Sequence, residues 1–486
     1  MDALPEVGVP ADQVLAEIAA LRRQDLPTHG GRLFAYVYDP DVPGLDELAN
    51  SAHALAAHVN GLNPTAFPSL LAMENALVAA AARLLGGGGD GVPSVVGNVT
   101  SGGTESLILA VKAARDARPD IAEPELVMPV TAHAALAKAA AYLRLRLVTV
   151  PVSGRTLRPD PDAVAAAITP NTVLVACSAP SYAHGVVDPV TEIAAAAAER
   201  GVRCHVDACF GGWTLPYLRR LGVDVPPFDF RVPGVTSISV DLHKYAYCPK
   251  GVSILLHRDA ALRAPQYFAY ADWPGYTLVN ATIASTRPGG PIAAAYATVR
   301  HLGDDGYLRL AEKTLAAAEG LAAAVRAVPG LRLLSEPGST VVSFASDDPA
   351  LDLFVLADEL TARGWHTQPQ LAHGELPRSI HLTVTAAVAP KVAEFAEAIG
   401  EAAAAAREHG PVHLPAELVG LVATLQPSEL SPEAVGALAG TLGIGESGAG
   451  PLPERQATIN ALLEAAPIPV REALFVGFLG LLQSSG

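Results

Sequence analysis

Runs of β-branched and apolar residues alternate with alanine-rich stretches along much of this 486-residue chain. Six runs are predicted as strands: Leu126–Val130, Leu147–Val152, Thr172–Cys177, Val202–Val206, Ser237–Val240 and Val252–Leu256. The stretches between them, such as Ala134–Leu143 and Ile193–Glu199, favour helices. Parallel strands need crossover connections, which are usually helices, so the alternation predicts an α/β fold with a mainly parallel sheet.

The pattern changes after a helix predicted over Tyr307–Val328. Strands predicted at Thr340–Ala345 and Ser379–Thr385 flank a helix at Leu353–Arg363, which is typical of a smaller α+β domain. A chain of this length is expected to contain more than one core. The predicted units are an N-terminal segment (1–55), a large α/β domain (56–300), a small α+β domain (301–410) and a helical C-terminal appendage (411–486).

Charge and composition limit the possible partners and location. The formal net charge is -16, and no cluster of lysines or arginines offsets it, so nucleic acids and anionic membranes are disfavoured as partners. The first residues lack the basic and apolar regions of a secretory signal. The four cysteines form no C-x-x-C pair and no disulfide-like ladder. We therefore expect a cytoplasmic protein that acts on a small molecule.

Two charged residues follow predicted strands, where open α/β sheets bind ligands. Lys244 follows Ser237–Val240 and lies among His243, Tyr245 and Tyr247, which suit an enclosed polar pocket. Asp207 follows Val202–Val206. A lysine after a strand is more often a surface residue, and a lone aspartate there is more often a cap or turn residue.

A glycine-rich segment, Thr100–Ser106, runs directly into a predicted helix. Its hydroxyl groups, including that of Ser101, and its backbone N–H groups at a helix start suit an anion. A plain helix cap explains the same pattern, and the lysine of a nucleotide P-loop is absent. His133, between a strand and a helix, could stack on a flat ring or simply cap the helix.

An amine, a carboxylate and an anion site are the parts that pyridoxal phosphate (PLP) requires. The amine forms a Schiff base, the carboxylate keeps the pyridine nitrogen protonated, and the anion site holds the phosphate. In this arrangement Lys244 is the amine and Asp207 the carboxylate, while the small Ala208 leaves room for the flat ring.

Five motifs, in this order, resemble the group II decarboxylase and sphingosine-1-phosphate lyase family of fold-type-I PLP enzymes. They are Thr100–Leu109 (TSGGTESLIL), Ser178–Gly185 (SAPSYAHG), His205–Gly212 (HVDACFGG), Asp241–Gly251 (DLHKYAYCPKG) and Thr282–Gly289 (TIASTRPG). The resemblance runs from about residue 30 to residue 400. It implies a mainly parallel seven-stranded sheet in the large domain.

The resemblance also implies individual roles. Lys244 is the Schiff-base lysine, Asp207 the partner of the pyridinium, and His133 the ring-stacking base. The cofactor phosphate is bound by Gly103, Thr104 and His243, and by Thr286 of a neighbouring subunit, which implies a homodimer with shared active sites. Tyr38 faces the substrate, and Lys250 lies near a substrate anion.

One segment departs from the lyase pattern. Where the lyases carry a longer loop with a phosphate-binding histidine, this chain has only Leu62–Pro68, which looks more like the loop of archaeal tyrosine or aspartate decarboxylases. Cleavage of a Cα–Cβ bond and loss of a carboxylate leave the same carbanion, so the cofactor residues do not separate them. Tyr245, Tyr247 and Lys250 favour retro-aldol cleavage of an amino alcohol or amino acid slightly over decarboxylation.

Two further classes remain open on the sequence alone. An aminotransferase would need an arginine in the small domain for the substrate carboxylate, and Arg378 could serve. A catalytically silent scaffold would have little reason to retain Lys244 and Asp207 together.

Overall fold

The computed structural model describes residues 4–88, 94–441 and 453–483. Its strands are β1 (Val96–Thr100), β2 (Glu125–Pro129), β3 (Arg146–Val150), β4 (Thr172–Ser178), β5 (Arg203–Asp207), β6 (Val235–Asp241), β7 (Ser253–His257), β8 (Phe268–Tyr270), β9 (Leu278–Asn280), β10 (Leu331–Leu333), β11 (Val341–Ser346), β12 (Gln368–Gln370) and β13 (Ser379–Thr383). Its helices are α1 (Ala11–Leu21), α2 (Leu45–Leu55), α3 (Pro68–Leu84), α4 (Gly103–Asp116), α5 (Ala134–Leu143), α6 (Pro161–Ala167), α7 (Val190–Glu199), α8 (Leu215–Arg220), α9 (Ala260–Arg263), α10 (Gly289–Ala327), α11 (Leu353–Ala362), α12 (Val392–His409), α13 (Ala416–Thr424), α14 (Pro432–Thr441), α15 (Ala457–Ala465) and α16 (Ile468–Leu482).

The large sheet has seven strands in the order β1-β7-β6-β5-β4-β2-β3. The neighbours from β6 to β3 pair in parallel, whereas β7 runs antiparallel to both β6 and β1. The fold class and the mainly parallel sheet are therefore confirmed. All six strands predicted here lie within two residues of their expected bounds. The sequence does not predict β1, because its Gly97 and Asn98 are residue types that are depleted in strands.

The register of the central strands brings their carboxyl ends together at one edge of the sheet. Ser178 at the end of β4 pairs with Asp207 at the end of β5, and Asp207 pairs with Ser239 two residues before β6 ends. The three strands are almost entirely buried, because helices cover both faces of a parallel sheet. This edge is where a ligand of such a fold binds.

One long helix joins the large and small domains. The helix predicted over Tyr307–Val328 is the second part of α10, which begins at Gly289, and the boundary expected at residue 300 falls inside it. The glycines and aspartates of the segment HLGDDG look like a helix end. The chain instead kinks at Gly303, whose φ of 62° suits glycine, and the helix then resumes.

The small domain is built on an antiparallel sheet in the order β10-β11-β13-β12, covered by α11 and α12. The N-terminal segment also contributes to its core. Phe34 is fully buried, with its ring centroid 5.7 Å from that of Trp365 and 5.3 Å from that of Phe395. Part of the predicted segment 1–55 therefore packs as an element of the small domain.

The last helices, α13 to α16, share a core of their own and dock on α11 through charges. The Asp358 carboxylate accepts the backbone N–H groups of Gln456 and Ala457 at the start of α15. Arg455 pairs with Glu359 at 2.7 Å, and Arg378 of the small domain pairs with Glu464. Among the helices described, none is long and apolar enough to cross a bilayer.

Candidate active site

Lys244 follows the last residue of β6, Asp241, by three positions. Its Nζ lies 2.9 Å from Oδ2 of Asp241, which is 2% exposed. Desolvation acts to lower the pKa of Lys244, but the attraction of the Asp241 carboxylate outweighs it and raises that pKa above its usual range. Desolvation likewise opposes the charge of Asp241, and Lys244 lowers its pKa overall. The two groups therefore form a shielded ion pair at the end of β6.

Asp207 ends β5 and lies beside this pair. Its Oδ1 accepts the backbone N–H of Cys209 at 3.1 Å and faces the Ser239 hydroxyl at 3.5 Å. The residue is only 7% exposed. These contacts fix the direction of the carboxylate and leave Oδ2 without a hydrogen bond to the described residues.

The glycine-rich segment packs tightly against these carboxylates. A Cβ on Gly103, the first residue of α4, would lie 2.8 Å from Oδ2 of Asp241 and 2.9 Å from Sγ of Cys209, so only glycine fits. The Glu105 carboxylate accepts the N–H groups of Ser101, at 2.6 Å, and of Ile283, at 2.7 Å. The Ser101 amide is thus engaged, and the first-turn amides of Gly103 and Thr104 are left for an anion.

His133 caps α5 and also faces the same space. Its Nδ1 accepts the N–H of Ala135 at 3.1 Å, so its hydrogen is on Nε2 when the ring is neutral. Its ring centroid lies 6.3 Å from that of Tyr182, in an edge arrangement. His133 therefore both caps α5 and lines the cavity, although the sequence presented these roles as alternatives.

These side chains enclose a cavity of about 420 Å³. It is lined by Ser101, Gly102, Gly103, Thr104, Glu105, Leu107, His133, Ser178, Pro180, Tyr182, Asp207, Cys209, Phe210, Asp241, His243 and Lys244. Three lining atoms are buried without a hydrogen-bond partner in the described residues: Ser178 Oγ, Asp241 Oδ1 and His243 Nδ1. Burial lowers the pKa of His243 to about 4, so its imidazole is neutral.

The cavity fits PLP by its chemistry. It holds one amine, a carboxylate fixed by backbone contacts, helix-start amides and an aromatic ring, together with unpaired polar atoms that a bound molecule would satisfy. Lys244, Asp207, His133, Ser101, Gly103, Thr104 and His243 all line it.

Tyr38 and Lys250 form a pair beside this cavity. Lys250 Nζ lies 4.8 Å from the centroid of the Tyr38 ring and 3.4 Å from the backbone oxygen of His243. The Tyr38 ring centroid is 6.2 Å from that of Phe210, which lines the cavity. Desolvation, followed by repulsion from Lys244, lowers the pKa of Lys250 to about 8. Desolvation raises the pKa of Tyr38, which stays a protonated phenol.

Ala208, Thr286 and Arg378, which were also singled out in the sequence, do not line the cavity. Ala208 is fully buried, and its side chain packs in the core beside Gly212. Thr286 is exposed on the loop before α10, which Arg287 ties to Glu74 of α3. Arg378 pairs with Asp352 at 2.9 Å and with Glu464, and its guanidinium lies 3.8 Å from the Phe354 ring centroid. Arg378 is therefore not placed to bind a substrate carboxylate, as the aminotransferase hypothesis required.

Sequence reasoning missed several lining residues. Asp241 had a usable signal, because it ends an apolar strand three positions before Lys244. Ser178 and Tyr182 lie in the motif SAPSYAHG but were given no role. Phe210 offers no local signal, because an aromatic residue after a strand is usually part of the core.

Comparisons with known proteins agree with this site. Residues 29–346 match the family described as the pyridoxal-dependent decarboxylase conserved domain. Residues 416–481 match a pyridoxal-dependent enzyme C-terminal putative HTH (helix-turn-helix) domain.

The similar proteins include both lyases and a decarboxylase. Sphingosine-1-phosphate lyase of Arabidopsis thaliana is 39% identical over 386 residues, which cover 78% of this chain and 69% of the relative. The probable L-aspartate decarboxylase of Pyrococcus furiosus is 31% identical over 362 residues, covering 74% and 93%. The structure of Burkholderia pseudomallei sphingosine-1-phosphate lyase is similar with a TM-score of 0.79 and 38% identity, covering 84% and 93%. This chain therefore belongs to the pyridoxal-dependent decarboxylase family and is a PLP-dependent lyase.

Proposed function

We propose that this chain is an aldehyde lyase that breaks the Cα–Cβ bond of a β-hydroxy amine carrying an anionic group. The observation that carries the proposal is the position of Lys250, whose ammonium lies over Tyr38 beside the lysine-containing cavity. The Arabidopsis and Burkholderia relatives are named for a phosphorylated amino alcohol, which is a substrate of this class.

Different residues of the cavity would hold different parts of the cofactor. Lys244 would bind it covalently through Nζ, and the amides of Gly103 and Thr104, with His243, would bind its phosphate. Asp207 would pair with its ring nitrogen, and His133 would stack on the ring. Bound there, PLP supplies an electron sink for the pair left on Cα when a bond to that carbon breaks. The negative charge of Asp207 would keep the ring nitrogen protonated. The Cys209 N–H holds the carboxylate in a fixed direction for this role.

The substrate anion is bound by Lys250, with the Tyr38 phenol as a hydrogen-bond donor. Within the shortened loop, the N–H and the hydroxyl of Thr65 donate to Asn63 Oδ1 at 2.9 and 2.7 Å, so these two donors are not left for the substrate anion. With one lysine and one phenol as donors, the contribution of this contact is about 1–2 kcal/mol.

Decarboxylation of an amino acid is the second candidate. The short loop Leu62–Pro68 and the likeness to the Pyrococcus furiosus protein support it. The two reactions differ in their products, so product analysis separates them.

We further propose a homodimer in which Thr286 reaches the cofactor phosphate of the neighbouring subunit. Phe268 and Tyr270 stack on one face of the β8–β9 hairpin with ring centroids 6.4 Å apart, and they are 51% and 47% exposed. Such an exposed aromatic face suits a partner, and Thr286 follows the hairpin closely in the chain. A second copy of this chain is the occupant that also gives Thr286 a role.

In this proposal the C-terminal helices do not bind nucleic acid, although they match a putative helix-turn-helix domain. The segment 416–481 contains seven glutamates and only two cationic side chains, Arg455 and Arg471. Arg455 pairs with Glu359, and Arg471 donates to the backbone oxygens of Glu464 and Ala466. With its cations engaged, this unit offers little to a phosphate backbone. The four buried, unbridged cysteines support a reducing, cytoplasmic location.

The reaction class is tested on PLP-loaded protein with a panel of phosphorylated amino alcohols and amino acids. We expect release of an aldehyde from the amino alcohols and no carbon dioxide from aspartate, glutamate or tyrosine. Lys244→Ala should abolish turnover, and borohydride should fix the cofactor to Lys244 in the parent protein but to no lysine in the variant. Carbon dioxide as the main product would replace the proposal with decarboxylation.

Asp207→Asn keeps the shape of the side chain and removes its charge. Loss of one buried, charge-assisted contact should lower kcat about 30- to 1000-fold, corresponding to about 2–4 kcal/mol. Asp162→Asn, at an exposed position in α6, serves as the control and should leave kcat unchanged. Equal turnover in the parent and Asp207→Asn would show that another group stabilises the sink.

The Lys250 amine is charged below a pH of about 8 and neutral above it. For an anionic substrate, kcat/KM should therefore fall as pH rises through about 8. In Lys250→Met this pH-dependent fall should be absent, and the KM should be raised about 5- to 30-fold. The matched control is Lys138→Met, because Lys138 also lies over a tyrosine, 5.4 Å from the Tyr142 ring. An unchanged pH profile in Lys250→Met would show that Lys250 does not bind the substrate anion.

The dimer is tested by sedimentation velocity. We expect the parent protein to sediment as a dimer and Phe268→Glu/Tyr270→Glu as a monomer with reduced activity, because charges on the hairpin face resist burial. Phe475→Glu/Val476→Glu, at exposed positions of α16, should remain dimeric. A parent protein that sediments as a monomer would contradict the shared site.

A further inference from the structure

A second cavity, of about 390 Å³, is lined by four arginines. Arg83 lies near the end of α3, Arg219 and Arg220 end α8, and Arg231 lies four residues before β6 begins. The lysine-bearing cavity is at the carboxyl ends of the strands, whereas Arg231 is at the amino end of β6. The arginine cavity is therefore a separate site. Such a concentration of cations is unexpected in a chain with 33 lysines and arginines and 49 acidic residues.

The carboxylates nearby neutralise these arginines only in part. Arg219 and Arg231 share one carboxylate, that of Asp229, which is 1% exposed. Arg220 pairs with Asp304 at 2.7 and 3.0 Å, but both side chains are largely exposed, so water and other anions compete for them. The Arg83 side chain makes no hydrogen bond or ion pair with any residue of the described ranges. Four guanidinium groups thus face two carboxylates.

The backbone around the cavity holds the arginines close together. Gly86 has a φ of 84°, and a Cβ there would lie 2.9 Å from Cγ of Arg231, so glycine lets the end of α3 approach this arginine. Arg220 lies 5.2 Å from the Tyr217 ring centroid, and Arg219 lies 5.7 Å from that of Phe228. These contacts orient the planar groups, which bind phosphate oxygens in pairs.

We propose that this cavity is a binding site for a small molecule that carries two linked phosphate groups. Its volume exceeds what one phosphate fills. Arg83, which has no partner in the described residues, and Arg220, whose exposed contact with Asp304 an anion can replace, clamp this molecule. Arg219 and Arg231 add positive charge around Asp229.

The test is calorimetric titration of inorganic pyrophosphate into the full-length, PLP-loaded protein. Binding should weaken about tenfold in Arg83→Gln/Arg220→Gln, because two charge contacts are lost. It should tighten about threefold in Asp304→Asn, because Arg220 loses its competing carboxylate while the amide keeps the shape. Cofactor absorption should be unchanged in both variants, since surface substitutions of this kind alter stability little.

A matched control separates this site from general charge effects. Arg118→Gln/Arg326→Gln removes two arginines that are also about half-exposed and paired with exposed carboxylates, Asp120 and Glu336, and it should bind pyrophosphate as the parent does. Tighter binding of ADP than of pyrophosphate would identify a nucleotide, and the reverse a simple polyphosphate. The proposal is overturned if the parent does not bind pyrophosphate, if the two double variants weaken binding equally, or if Arg83→Gln/Arg220→Gln has no effect.

Discussion

The ion pair between Asp241 and Lys244 is the interaction on which the rest of the site depends. A buried charge left without its partner costs about 3–5 kcal/mol, so this pair fixes the lysine at the carboxyl end of β6. The same carboxylate determines the neighbouring segment, because Gly103 can begin α4 there only without a side chain. The start of α4 can thus lie against the ion pair at the end of β6 because Gly103 places no side chain between them.

The walls of the cavity also depend on the small domain. The Tyr182 hydroxyl donates to Oε1 of Gln368 at 2.7 Å, and its ring stacks on His381 with centroids 4.6 Å apart. The Tyr245 hydroxyl donates to the backbone oxygen of Val384 at 2.8 Å. Burial lowers the pKa of His381 to about 4, so this contact surface stays uncharged near neutral pH. Tyr182 is therefore fixed from both domains, which is the support that a precise site needs.

The sequence predicts what is encoded locally. Strand positions, the glycine-rich helix start and the polar residues that follow β5 and β6 are all readable from neighbouring residues, and Lys244, Asp207, Gly103 and His133 do line one cavity. Contacts between distant segments are not readable in this way. The approach of Lys250 to Tyr38 joins residues far apart in the chain, and no periodicity encodes it. Ala208 shows the limit within a motif, because the turn after β5 directs its side chain into the core while its neighbours on both sides line the cavity.

Arg378 pairs with Glu464 of the C-terminal helices, and this contact bears on whether the chain could act as an aminotransferase. This arginine bridges Asp352, whose side chain is 8% exposed, and Glu464 of α15, and it stacks on Phe354. Moving it to the cavity would leave the Asp352 carboxylate shielded without its cation, which is costly. It would also remove a contact that docks α15 on the small domain. A substrate carboxylate thus cannot recruit Arg378 without undoing this interface, which leaves Lys250, outside the small domain, as the proposed anion contact.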